Sequence, residues 1–196
     1  MHKLEAMRRP VIAPSNARDG SDLVAVLEPA ARFSLRVGAD HVIRRQSVAG
    51  FQLDLAINRC RRDGERLAAR LGPDEWLLIG TGSETDALAV AIATQLEGAF
   101  FSLVDIGHRN AGFEIRGRHA ADIVNGGCPL DLHDARFSPG SATRTLFGKA
   151  EIVLIRPNAD HIYRIECWRS FAPYVWGLLQ DVAREFVPDA PVQRRT

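Results

Sequence analysis

The sequence predicts an α+β fold: mostly antiparallel sheets with helices packed on them. Three observations lead to that reading. Strand-like alternation comes in hairpins joined by turns rich in glycine and aspartate. Helical periodicity is sustained in only two longer segments. A parallel doubly wound sheet needs a helix after nearly every strand, and this order does not supply them.

The elements follow in order. From Ala31 to Val37, Phe33, Leu35 and Val37 fall on one side and Arg32, Ser34 and Arg36 on the other, the period of a half-buried strand. Residues 40–49 read as a short helix. Residues 44–70 are arginine-rich and hold the turn signal Asp63-Gly64. Arg66 to Leu71 alternates again, Gly72-Pro73-Asp74 is a tight turn, and Glu75 to Ile79 is the return strand. The clearest helix runs from Ser83 to Glu97. Ser83 is its predicted cap, Asp86 takes the capping-box position, and Leu88, Ile92 and Leu96 form a buried stripe that Gly98 ends. The apolar run Ala99–Ile106 is predicted as a central strand, with Asn110 or Ala111 to Arg116 as its hairpin partner.

A short helix over 118–124 ends at Asn125-Gly126-Gly127, where positive φ costs least. Cys128 to Leu132 is a loop closed by Pro129. Cys128, after two glycines and before a proline, has room for partial exposure, but no nearby basic residue argues for a reactive thiol, and it reads as a loop packing residue. Residues 142–147, 150–155 and 161–168 read as three strands, turned at Gly148 and Asn158. Ser170 is the predicted cap of a final helix through Phe186. Phe171, Val175, Leu178, Leu179, Val182 and Phe186 share one face of it, and Tyr174 and Trp176 project from opposite flanks.

The domain reading is a flexible N-terminal arm over 1–20, a single domain over 21–187 and a flexible tail over 188–196. A net charge of +1 argues against a strong field for nucleic acid or anionic membrane. No apolar run reaches membrane-spanning length. Cys60, Cys128 and Cys167 are odd in number and widely spaced, so reduced thiols and a cytoplasmic location are expected.

The candidate chemistry is sparse. No two of the six histidines sit at i and i+4 on a helix, or flank a cysteine at finger spacing. His119 and His133 could meet only in space. The segment Gly80-Thr81-Gly82-Ser83 has the strand–turn–helix order that holds phosphate, yet it lacks the Walker lysine and the full dinucleotide fingerprint. It reads as a glycine turn. Asp105 offers a base or a ligand contact at a strand end, against its common role of bonding an amide two residues on. Arg59, Arg61, Arg62, Arg66 and Arg70 lack interleaved aromatics, so they suggest a solvated hairpin or the rim for an acidic partner. Trp168, Phe171, Tyr174 and Trp176 crowd beside Arg169, and these residue types anchor interfaces. Trp168, Arg169, Tyr174 and Trp176 are therefore the candidate interface residues. No residue is assigned a catalytic or metal-binding role.

A set of strings then points to a family. They are LGPDEWLLIG at 71–80, VDIGHR at 104–109, GGCPLDL at 126–132, FSPG at 137–140 with TRTL at 143–146, and WRSFA at 168–172 with YVW at 174–176. In that order they resemble the gamma subunit family of bacterial heterotetrameric sarcosine oxidases. Gly107, where such chains commonly carry serine, and Gly117-Arg118, where they carry Gly-Pro, are local departures. The resemblance implies a fold similar to the folate-binding domain of the glycine-cleavage aminomethyltransferase, built from duplicated strand–helix–strand units. It implies alpha, beta and delta partner chains. It also implies a complex that demethylates sarcosine to glycine, makes hydrogen peroxide and passes the one-carbon unit to tetrahydrofolate. FAD, FMN and NAD are then expected in alpha and beta and zinc in delta, with no cofactor in this chain. The competing reading is a small folate-binding or one-carbon-transfer module that uses Asp105 as its contact.

Overall fold

The structure is a computed structural model; it describes residues 11–12, 23–43 and 45–187. The predicted arm and tail lie outside the described residues, apart from Val11 and Ile12, which pack against the core. The first half of the chain forms β1 (Val24–Val26), β2 (Ala30–Val37), α1 (Ala39–Ile43), β3 (Ser47–Val48), β4 (Phe51–Gln52), β5 (Arg59–Asp63), β6 (Arg66–Arg70), β7 (Glu75–Thr81), α2 (Thr85–Gln95) and β8 (Phe101–Asp105). The second half forms β9 (Asn110–Arg116), α3 (Ala120–Asn125), β10 (Ser141–Phe147), β11 (Ala150–Arg156), β12 (Ile162–Trp168) and α4 (Ala172–Ala183).

Ten strands make one antiparallel sheet in the order β1-β9-β12-β11-β10-β5-β6-β7-β2-β8. The order is a duplication. Read outward from the middle, β5-β6-β7-β2-β8 repeats as β10-β11-β12-β9-β1. In register terms Ala30 lies opposite Thr81, as Asn110 lies opposite Trp168. Aligning those pairs sets Ala31-Arg32-Phe33-Ser34-Leu35-Arg36 on Ala111-Gly112-Phe113-Glu114-Ile115-Arg116. It also sets the buried Leu88, Ile92 and Leu96 on the buried Val175, Leu179 and Ala183. The last strand of the second unit comes from the other end of the chain: β1 takes the place that β8 holds in the first.

Each half buries one face under its helix. Phe33, Leu35, Trp76 and Leu78 pack with Leu88, Ile92 and Leu96 in one core. Phe113, Ile115, Tyr163 and Ile165 pack with Val175 and Leu179 in the other. The opposite faces meet in a third cluster of Leu67, Leu77, Ile79, Ile106, Ala142 and Ile155. Period-two alternation therefore has two dry sides here, and the side that reads as solvent-facing from the pattern is the inter-sheet side. The halves join along β5 and β10, paired in register at Ser141 and Arg59, where Arg59 also bonds Ser138, Ser141 and the Pro139 carbonyl.

Several expectations are corrected. The helix expected over 40–49 is α1, which stops at Ile43, and Val48 turns into the β3–β4 hairpin. The run Ala99–Ile106 is not central; β8 is the edge and pairs with β2. β9 is not its hairpin partner but pairs with β1 and β12. A link as short as 106–109 fits a hairpin in length, yet here it crosses between the two halves. Ser83 and Ser170 do not cap their helices by side-chain bonds. Each lies inside a 3-10 turn, Gly82–Glu84 or Arg169–Phe171, that leads into α2 or α4. Gly126 keeps a right-handed helical φ of −59°, so its lack of a side chain serves packing. A Cβ there would lie 2.5 Å from Val182, and one on Gly127 would lie 2.7 Å from the Phe147 ring.

Candidate functional site

The distinctive chemistry sits between the two half-sheets. Arg32 on β2 and Glu166 on β12 meet across the gap, each about 1% exposed. Arg32 Nε donates to Glu166 Oε2 at 2.6 Å and Nη2 to Oε1 at 3.2 Å. Arg164, two residues before Glu166, donates from Nε to the same Oε1 at 2.7 Å. Burial pushes the Glu166 carboxyl up, and the two guanidiniums outweigh it, leaving the group below its usual range. The duplication explains how the pair fits. Where Arg32 stands in β2, β9 has Gly112, and a Cβ there would lie 2.8 Å from both Arg32 Nη2 and Glu166 Oε1.

A second brace lies further along. Glu75 on β7 accepts from Arg144 Nη1 of β10 at 3.1 Å and pairs with Arg36 of β2 at 3.2 Å. Arg144 Nη2 also bonds Glu75 Oε1. Between the braces is a cleft of about 170 Å³ whose lining includes Ser34, Ile106, Arg109, Glu151 and Trp168.

The candidate interface residues divide. Trp168 is 48% exposed at the cleft rim, with the Arg109 guanidinium over its ring at 5.6 Å and the Phe171 ring 6.4 Å away. Arg169 joins them through its backbone N–H, which donates to the Arg109 carbonyl at 2.7 Å. Tyr174 stands apart, its hydroxyl accepting the Lys149 N–H at the β10–β11 turn. Trp176 is half-buried and stacks on Phe113 at 5.8 Å, so it belongs to the second core. Asp105 forms the turn bond, its Oδ1 accepting the Gly107 N–H at 2.7 Å.

The remaining sequence candidates are local. Arg70 bonds the Gly72, Leu55 and Pro73 carbonyls and covers the Trp76 ring, and Arg66 pairs with Glu84. The arginine hairpin is thus mostly a set of braces. His119 stacks on Phe186 and contacts Asp122, and His133 accepts the Ala135 N–H. Among the described residues no three His, Cys, Asp or Glu cluster as metal ligands would. Cys128 is a packing residue, as its loop suggests, and it is fully buried, because Leu132, Phe137 and Phe147 share its core. Burial pushes the Cys60 and Cys167 thiols up to about 12.

The sequence reading missed Arg32, Glu166, Glu75 and Arg144. The signal for Arg32 was present: a charged residue at the repeat position that holds Gly112 in the second copy.

Comparison with known proteins decides the family. The sarcosine oxidase, gamma subunit family matches residues 39–185. This chain belongs to the sarcosine oxidase gamma subunit family. Among curated relatives, the sarcosine oxidase subunit gamma of Corynebacterium sp. (strain U-96) is 28% identical over 116 residues, which cover 59% of this chain. The match takes in 55% of that protein, so the chain spans about half the length of its curated relative. The gamma-family fold is similar to a chain of the heterotetrameric sarcosine oxidase from Corynebacterium sp. U-96, solved with pyrrole 2-carboxylate. The TM-score is 0.73 at 22% identity, over 85% of this chain and 86% of that one. It is also similar to the glycine cleavage system aminomethyltransferase T from Bartonella henselae, with a TM-score of 0.64 at 10% identity. That match covers 82% of this chain and 46% of the enzyme. The expected fold is therefore the observed one.

Proposed function

We propose that this gamma-family chain is a non-catalytic subunit of a heterotetrameric sarcosine oxidase and serves the assembly and stability of the complex. In this reading alpha, beta and delta chains supply the reaction centres. FAD, FMN and NAD sit in alpha and beta, and zinc in delta. The complex, in the cytoplasm, converts sarcosine to glycine with hydrogen peroxide and passes the one-carbon unit to tetrahydrofolate. One observation carries the proposal: the two carboxylates sunk in the cleft, the half-buried Glu75 and the buried Glu166, are committed to arginines that tie the half-sheets together, while Trp168 and Phe171 face outward at the rim. Committed charges brace a fold, and exposed aromatics beside arginine anchor partners.

Co-expression with the other three chains tests this. Trp168→Ala and Phe171→Ala are expected to weaken co-purification about tenfold, a modest hot-spot effect, while leaving the thermal midpoint of the isolated chain nearly unchanged. Trp176→Ala serves that test poorly, because it removes a ring from the core. Sarcosine turnover or a tightly held flavin in the isolated chain overturns the proposal.

The alternative, a stand-alone folate module working through Asp105, is not favoured, because that carboxylate already holds the Gly107 amide. Calorimetry with tetrahydrofolate discriminates the two; binding by the purified chain at micromolar concentration restores the module reading.

A further inference from the structure

We infer that the outer edge of β8 accepts an extended strand from a partner polypeptide, one that presents an apolar side chain beside Val104 and a carboxylate toward Arg109. Taking that partner from the assembly proposed above rests on that reading.

Among the described residues the edge is open. The Ile106 N–H donates to the Arg32 carbonyl at 2.8 Å, and Val104 lies opposite Ser34. In an antiparallel ladder this phase turns the backbone groups of Ser102, Val104 and Ile106 toward β2. The N–H and C=O of Phe101 and Leu103 then point away from the sheet, and among the described strands β8 pairs with β2 alone. Natural edges are blunted by lysine, proline, bulges or shortness. The opposite edge, β1, is short at three residues. β8 is longer, has neither lysine nor proline, and lies beside the 96%-exposed Phe100.

The side chains define the guest. On the cleft face Val104 is 52% exposed and sits beside Ser34, which lines the same cleft as Ile106, Arg109 and Trp168. Arg109 meets the Asn110 Oδ1 at 3.3 Å and lies over the Trp168 ring, and among the described residues no carboxylate pairs with it. An added strand would alternate its side chains over this face, so apolar and acidic residues complement it. A second copy of β8 is the poorer guest. Two-fold antiparallel pairing through the outward groups sets Asp105 across from Phe101 when the axis falls at Leu103, and across from Leu103 when it falls at Val104. Either register opposes a carboxylate to an apolar side chain.

The test is residue-resolved hydrogen exchange on the isolated chain and on the co-purified complex, with Leu103→Pro and Val104→Lys in parallel. Leu103→Pro removes an outward N–H and spares the bonds to β2. Val104→Lys puts a charge on an exposed position. The Phe101 and Leu103 amides should exchange rapidly in the isolated chain and at least tenfold more slowly in the complex. Both variants should lower affinity for the partner about tenfold, with Val104→Lys keeping the thermal midpoint of the parent. If the wild-type chain fails to co-purify, both readings fall. If it co-purifies while those amides stay unprotected, or Val104→Lys binds as the parent does, the strand-addition inference alone falls. Concentration-dependent protection of the same amides in the isolated chain also overturns it, in favour of self-pairing.

Discussion

Glu166 concentrates the risk in this molecule. It is buried with two arginines on it, so its replacement leaves cations without compensation inside the protein. Glu166→Gln should lower unfolding free energy by about 3 kcal/mol in denaturant titration, far more than an exposed pair would cost. The pH dependence has a definite sign. The folded carboxyl ionises below its ordinary value of 4.5, so its stabilisation is present above that value and is lost as pH falls through the lower, folded one. Acid unfolding of the parent should steepen below about pH 4.5, and Glu166→Gln should remove that part of the slope. The thiols make a second residue-scale test. Cys60 and Cys167 are buried with pKa values near 12, so iodoacetamide at pH 8 should label neither in the native chain and both in denaturant. None of the pairings at Glu166 was legible in the sequence. The alternation that placed Arg32 opposite Phe33 was read correctly, but a pattern cannot say whether the polar side meets water or a second sheet.

At the scale of elements, local signals were read well where the element is self-contained. The Asp63-Gly64 and Gly72-Pro73-Asp74 turns produce the β5–β6–β7 meander, and Leu88, Ile92 and Leu96 form the buried stripe of α2. Readings failed where a neighbour from far along the chain decides. β8 looked central because it is apolar, and β9 looked like its partner because the link is short. The glycines at 126 and 127 have the sequence signature of turn formers, and they are contact points. Gly127→Ala would drive a methyl group into the Phe147 ring and should cost about 1–3 kcal/mol, seen as a lower thermal midpoint. Gly148→Ala combines a clash at the Tyr174 hydroxyl with a φ of +58°, and should be at least as costly.

For the molecule as a whole, the duplication was available in the text of the sequence, as ARFSLR at 31–36 and AGFEIR at 111–116. Alternation within each strand does not display it; laying the two strands on each other does. That comparison gives the strand order of one half from the other. The braces Arg32–Glu166 and Glu75–Arg144 each join one half to the other, so both report on the same seam. A double-mutant cycle on Glu75 and Arg144 should give a coupling of about 0.5–1 kcal/mol, since Arg144 is substantially solvated. Because the third cluster and the braces bind the halves, unfolding should be one transition by fluorescence and circular dichroism alike.

The exchange at the end of the second unit has a consequence for synthesis. Val24 leaves the ribosome long before its ladder partner Ile115 has been translated, whereas β2 through β8 can close on one another as soon as Asp105 is out. β1 is thus held in reserve until the later repeat arrives. A nascent chain stalled with Asp105 just clear of the exit tunnel should already resist protease across its first meander while remaining open to cleavage between Leu23 and Ala30.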